Sequence, residues 1–259
     1  MAVESWLHSL KKARSDKPLA PASKAKIKSA MYSLFDHAIR HELCSLNLNP
    51  MEKVRQGSKR LKKPDVLTLS KIRALMLEVP NPAIRLAILV AGVTGLRRSE
   101  LRGLKWLDID LDGHWITPTR GSIRKHLTNL KTRASGEAIP IPEPLSAAFR
   151  EWRGLSLYRA DTDWVFASPT TSGRSPIWFD SALCRQLRPA AQRANITKHI
   201  GWHTFRRSLA TLLTNKKEAV KVIRELMWHA DPRTALELYA QGEEETKRAA
   251  QEHVRDLFL

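Results

Sequence analysis

Thr94-Gly95-Leu96-Arg97-Arg98-Ser99-Glu100-Leu101 is the stretch on which the reading of this chain turns. It follows the apolar run Leu86 to Val93 and leads into a second helix-like segment, so it reads as helix end, glycine turn and new helix start. The helix before it is predicted over 82–93, with Asn81 as N-cap and Pro82 in its first position. An arginine at a helix start can offer a two-pronged guanidinium to a phosphate, with nearby backbone amides assisting. Glu100 could hold the Arg97 guanidinium in place. From these residues alone, a basic turn with an ordinary Ser99/Glu100 cap is the more frequent arrangement.

Around this stretch the composition is that of a folded protein: 259 residues, 42% hydrophobic, 27% charged, with 11 Gly and 14 Pro. The length suits one or two domains. An eight-residue apolar run is far short of the roughly 20 residues that span a bilayer. The basic N-terminus lacks an apolar core followed by a small-residue cleavage site, so a secretory signal is not expected. Cys44 and Cys184 belong to no CxxC or Cys/His cluster, which argues against a disulfide scaffold and a zinc site. The expectation is a cytoplasmic, nucleoid-associated protein with no membrane contact.

Charge gives the first positive clue. Lys and Arg number 44 against 26 Asp and Glu, a net charge of +18. Such an excess favours a polyanion, because neutralising phosphates releases condensed counterions. Residues 1–63 hold 14 Lys/Arg and 5 Asp/Glu, half of the excess in a quarter of the chain. A solvated basic face or a ribosome-associated protein would share this balance. Lys24, Lys28, Arg55, Lys59, Arg60, Lys62 and Lys63 are the candidate DNA-phosphate contacts in that region.

Organisation follows from the punctuation. A helical pattern starts near Ser23, a candidate N-cap, and stops at Asn47-Leu48-Asn49-Pro50. Residues 53–63 are basic and almost without apolar content, which reads as a linker between residues 1–52 and 64–259. A further helix is predicted over 70–79. Residues 114–142 read as short strands in a small antiparallel sheet, and Trp164-Val165-Phe166 as another short strand. From Trp178 onward helices are expected over 178–194, 203–214, 218–228, 231–240 and 243–257. The predicted class is mainly α with a small antiparallel β-sheet, α+β.

Three further clusters could carry chemistry. Lys131, in a hairpin-like segment, is either an exposed edge charge or a general acid on a loop. His203 and Arg206 are three residues apart and share one face if helical, which suits an anion clamp, although His-x-x-Arg alone specifies nothing. His229 precedes Tyr239 by ten residues. Tyr239 reads as a core aromatic, or as a nucleophile needing cationic surroundings to lower a phenol pKa of about 10.

In series, TGLRRSEL, the hairpin lysine, HTFR, the Trp228-His229 pair and Tyr239 resemble the tyrosine recombinases of the phage integrase family. Matched by position, Arg97 resembles the first catalytic arginine, Lys131 the hairpin lysine, His203 and Arg206 the His-x-x-Arg pair, His229 the second histidine and Tyr239 the nucleophile. Arg207 and Met227-Trp228 depart from the commoner His and Leu-Gly at those places. The resemblance implies an integrase-type catalytic domain over 64–259 preceded by a shortened, partial helical core-binding domain over 1–52. It further implies cleavage and rejoining of double-stranded DNA through a 3′-phosphotyrosyl link, without metal or other cofactor. A homotetramer assembled on DNA, with the C-terminal helix docked in trans, is also implied. A type IB topoisomerase-like enzyme and a decayed integrase that only binds DNA are the alternatives.

Overall fold

The computed structural model describes residues 2–57, 65–123, 126–129 and 136–227. Lys59, Arg60, Lys62, Lys63, Lys131, His229, Tyr239 and the helices expected over 231–240 and 243–257 lie outside the described residues. The chain divides into two compact units, Met1–Pro64 and Asp65–Leu259.

In the first unit, helix α1 (Ala2–Ser9) is followed by the hairpin β1 (Lys11–Lys12) and β2 (Ser15–Pro18), then by helix α2 (Pro21–Arg40). The helix starts at Pro21 rather than after Ser23, because proline's fixed φ suits the first helical turn. Neither α1 nor the hairpin was expected from the sequence. Leu7, Met51 and Val54 are buried together, with Ile27, Met31 and Phe35 of α2 packed against them. The segment expected as a linker from residue 53 therefore begins inside this core. Asn49 turns the chain back, its Nδ2 donating to the Tyr32 carbonyl at 2.9 Å and its Oδ1 accepting from the Met51 amide at 3.0 Å.

The second unit opens with α3 (Leu69–Glu78) and α4 (Pro82–Thr94). Asn81 caps α4 as predicted, its side chain accepting from the Ile84 amide, and Pro82 occupies the first turn. Apolar on most sides, α4 is buried from Ala83 to Thr94 on all but a few positions. Gly95 ends it with φ +67°, and the short α5 (Arg98–Arg102) follows.

The expected single sheet is two. Strands β3 (Ile109–Asp110), β4 (Trp115–Ile116) and β7 (Ile139–Pro140) form a three-stranded antiparallel sheet, with Ile116 opposite both Ile109 and Ile139. Strands β5 (Gly121–Ile123) and β6 (His126–Thr128) form a separate hairpin packed on α5. Gly103 is required at that contact, since a Cβ there would stand 2.7 Å from the Arg120 carbonyl oxygen. Trp164 and Ala167 make only isolated bridges, to Lys105 and Pro176, in place of the expected strand, because Val165 and Phe166 turn into the core.

Helix α6 (Glu143–Leu155) was not foreseen; it buries Leu145 and Phe149, with Trp152 packed alongside. The helix expected over 178–194 consists of α7 (Phe179–Ala182), a π turn (Leu183–Leu187) and α8 (Arg188–Arg193). Last come α9 (Trp202–Asn215), which packs on α4, and α10 (Val220–Leu226). Trp106, Phe149, Phe166, Phe179 and Phe205 centre the core, and Trp202 stacks on Phe179 at 4.4 Å between centroids. No described helix is long and apolar enough to cross a membrane.

Candidate active site

The packing of α9 on α4 brings the two arginine motifs together. Thr94 braces the turn from one side: its hydroxyl donates to the Val90 carbonyl at 2.7 Å and accepts from the Leu96 amide at 3.3 Å. Gly95 must be left-handed here, and its missing side chain leaves room for Leu209 and Met227, each 3.1 Å from where a Cβ would lie. Leaving this turn, the chain places Arg97 at the N-cap of α5.

Glu100, almost fully buried, does two things at once. One carboxylate oxygen accepts from the Arg97 amide at 2.7 Å, and the other accepts from the Arg97 guanidinium at 2.8 Å. The first is half of a capping box and secures the helix start. The second fixes the guanidinium over that start.

Arg206 comes from the buried side of α9. Its Nη1 donates to the Gly95 carbonyl and its Nη2 to the Met227 carbonyl, so one side chain joins the glycine turn to the end of α10. Burial, then the neighbouring Arg97 charge, pushes its pKa down to about 10, with Glu100 opposing. It remains a cation at neutral pH. A network of this kind is rigid because each buried donor has an acceptor.

His203 lies one turn before Arg206 on the exposed side of α9, while its neighbours Trp202, Thr204 and Phe205 are buried. The Thr204 hydroxyl accepts from the Gly201 amide at 3.1 Å, and the Trp202 indole donates to the Phe179 carbonyl at 2.8 Å, which sets the start of the helix. Partial desolvation, followed by Arg207, Arg98, Arg206 and Arg97, holds the His203 pKa below the ordinary histidine value. The imidazole is therefore neutral near pH 7 in a ring of guanidinium groups. Such a ring, to which Glu100 and Asp180 contribute carboxylates at Arg97 and Arg98, is suited to an anion with several oxygens.

Arg97, Glu100, His203 and Arg206 are thus brought together. Three further arginines lie around them: Arg98 and Arg207 stood in the sequence motifs without an assigned role, and Arg102 was missed from the sequence. Arg98 pairs with Asp180, Arg102 donates from Nε to the Ile177 carbonyl at 3.1 Å, and Arg207 donates to the Asp65 carbonyl at 3.5 Å. The four-residue spacing of Arg98 and Arg102 on one helix face was the available signal. Among the described residues, no three His, Cys, Asp or Glu side chains group as metal ligands.

The basic candidates of the first unit separate. Lys24 is a correction: it is 9% exposed, and its ammonium donates to the His8 carbonyl at the end of α1. A buried lysine bound to a helix C-terminus is a structural cap, unavailable to a phosphate. Lys28 is half-buried on α2, and Arg55 is exposed, its amide donating to Glu4.

The chain has relatives. A tyrosine recombinase of Thermosipho africanus is 28% identical over 186 residues, 71% of this chain and 59% of that protein. The integrase of Staphylococcus phage L54a is 26% identical over 208 residues, 72% of this chain and 57% of the other. The chain thus spans about half to three-fifths of the length of the first curated relatives it matches. Among solved structures, the Tn1549 transposon integrase in complex with circular intermediate DNA shares the fold, with a TM-score of 0.76 at 19% identity. That match covers 98% of this chain and 85% of the other. A lambda integrase dimer bound to a core site gives 0.63 at 20% identity, covering 85% and 73%. The model of the phage integrase family matches residues 65–246, which takes in every position singled out between Arg97 and Tyr239, and the chain belongs to that family.

Proposed function

We propose that this chain is a site-specific DNA recombinase from a mobile element, which cuts and rejoins double-stranded DNA through a covalent phosphotyrosine. The observation that carries the reading is the cationic cluster of Arg97, Arg206 and His203, held by Glu100 and by backbone carbonyls in a chain of this family. The Tyr239 oxygen attacks the scissile phosphorus, forming a 3′-phosphotyrosyl bond as the 5′-oxygen leaves. Lys131 gives that oxygen its proton. Arg97 and Arg206 neutralise the non-bridging oxygens, where charge builds in the transition state. His203 and His229 orient these oxygens and move protons. Attack by the 5′-hydroxyl of a second strand reverses the step, so the energy of the phosphodiester is kept.

The oligomer on DNA is read as a homotetramer, with the segment after Gly242 docked on a neighbouring copy. The test is a suicide substrate: nicked duplexes carrying the DNA that flanks the coding sequence, scored for a covalent protein–DNA adduct on a denaturing gel. The wild-type chain forms the adduct and Tyr239→Phe does not, although it still binds DNA. An adduct in Tyr239→Phe would overturn the assignment. A shift without any adduct in the wild type would mark a chain that only binds.

A further inference from the structure

A cleft of about 900 Å³ opens beside the arginine cluster, between the β5–β6 hairpin and the loop that runs from Trp164 to Trp178. Arg102, Arg174 and His126 contribute its basic groups, Trp164 and Trp178 its indoles, and Ser122, Ser168 and Ser175 are among its hydroxyls. Among the described residues that line it, none carries a carboxylate. Arg102 is 7% exposed and its guanidinium lies 4.7 Å from the Trp178 ring centroid, whereas Trp178 itself is 41% exposed. Arg174 is exposed and donates from Nε to the Thr171 carbonyl at 3.2 Å. A cleft of this size with mostly apolar walls and a few converging polar groups is built for a planar molecule with polar edges, not for a phosphate alone.

Its position narrows the occupant. Arg102 closes the same short helix that Arg97 caps and Arg98 opens, so the cleft and the arginine cluster share one element. Trp164 is buried with the Lys105 ammonium 4.9 Å over its ring, so the exposed Trp178 indole is the stacking wall. With the cationic groups around it, that wall matches the way single-stranded nucleic acid is held. A base inside a stacked duplex cannot enter a cleft; an unstacked one can.

From this juxtaposition we infer that the Arg102–Trp178 cleft receives an unstacked nucleobase of the DNA strand whose phosphate is held at Arg97. This rests on the reading of the chain as a DNA recombinase and adds to it a base-holding subsite. Capture of one base would hold the strands apart beside the cut and favour sites whose local pairing is weak.

The test compares a short single-stranded oligodeoxyadenylate with an abasic sugar–phosphate chain of the same length, by fluorescence anisotropy at fixed salt. Both carry the same phosphates, so any difference comes from the base. The wild-type chain is expected to bind the adenylate about ten-fold or more tightly than the abasic chain. Trp178→Ala and Arg174→Gln should each reduce that margin; Trp178→Ala removes no charge and should leave abasic binding as it was. Equal affinity of the two probes for wild type would overturn the inference, as would a margin that survives in both variants. Free dAMP binding as tightly as the oligomer would make the cleft a site for a soluble nucleotide and also overturn it. Failure of the wild-type chain to bind any DNA would instead strike the recombinase reading and this inference with it.

Discussion

Arg206 shows how much of this site depends on the shape of one side chain. Its two terminal nitrogens reach carbonyls 111 and 21 residues away, and a lysine, with one compact ammonium, cannot serve both in the same geometry. Arg206→Lys should therefore unfold more easily by about 1–3 kcal/mol, the scale of one lost charged hydrogen bond, measured by urea titration. His203 gives a different signal. Its pKa in the free chain is below the ordinary value, and a bound phosphate would raise it. Between the two values, binding takes up a proton, so DNA affinity should strengthen as pH falls from the bound value towards the lower value of the free chain. His203→Gln should lose that slope, read by anisotropy at a series of pH values; parallel slopes would remove His203 from the phosphate. The Arg97–Glu100 contact was legible from the three-residue spacing in RRSE. The same spacing in HTFR suggested one shared face, whereas the structure buries Arg206 and leaves His203 exposed. The Arg98–Asp180 pair was not legible, because residues 82 apart meet only through the packing of the whole domain.

At the scale of elements, the turn between α4 and α5 carries the geometry. Gly95→Ala would place a methyl 3.1 Å from Leu209 and from Met227 at φ +67°. The left-handed conformation alone costs roughly 1–2 kcal/mol for a residue with a side chain. Thermal unfolding should show a loss of at least that size, and adduct formation should fall further, since the same turn presents Arg97 and supplies a carbonyl to Arg206. Wild-type adduct yield in a destabilised Gly95→Ala would show that the turn is not what places the arginines. Helix α4 was readable because Asn81 and Pro82 mark its start and Gly95 its end. Helix α6 was passed over although Leu145, Phe149 and Trp152 fall at helical spacing, because Pro142, Pro144 and Gly154 punctuate the same stretch as a loop would. The π turn at 183–187 has no sequence mark at all; one extra residue in a helical turn leaves the apolar pattern nearly intact.

For the whole molecule, a net charge of +18 favours a polyanion but does not say which residues would meet it. The +18 excess was plain from composition, yet one of the basic residues drawn from it, Lys24, is buried under α1. Composition counts charges; only burial says which of them a phosphate can reach. This separates two kinds of basic residue in residues 1–63 that a single salt titration distinguishes. Each phosphate neutralised on duplex DNA contributes about 0.9 to the slope of log affinity against log salt. Replacing Lys59, Arg60, Lys62 and Lys63 together by glutamine should flatten that slope by about 3 to 4 if all four meet phosphates, with little change in thermal stability. Lys24→Gln should do the reverse: an unchanged slope and a lowered melting temperature, because the His8 carbonyl loses its ammonium. A steep slope that survives the fourfold change would place the excess charge of the 53–63 segment in solvent, and a flattened slope in Lys24→Gln would mean that the lysine leaves its cap to meet DNA.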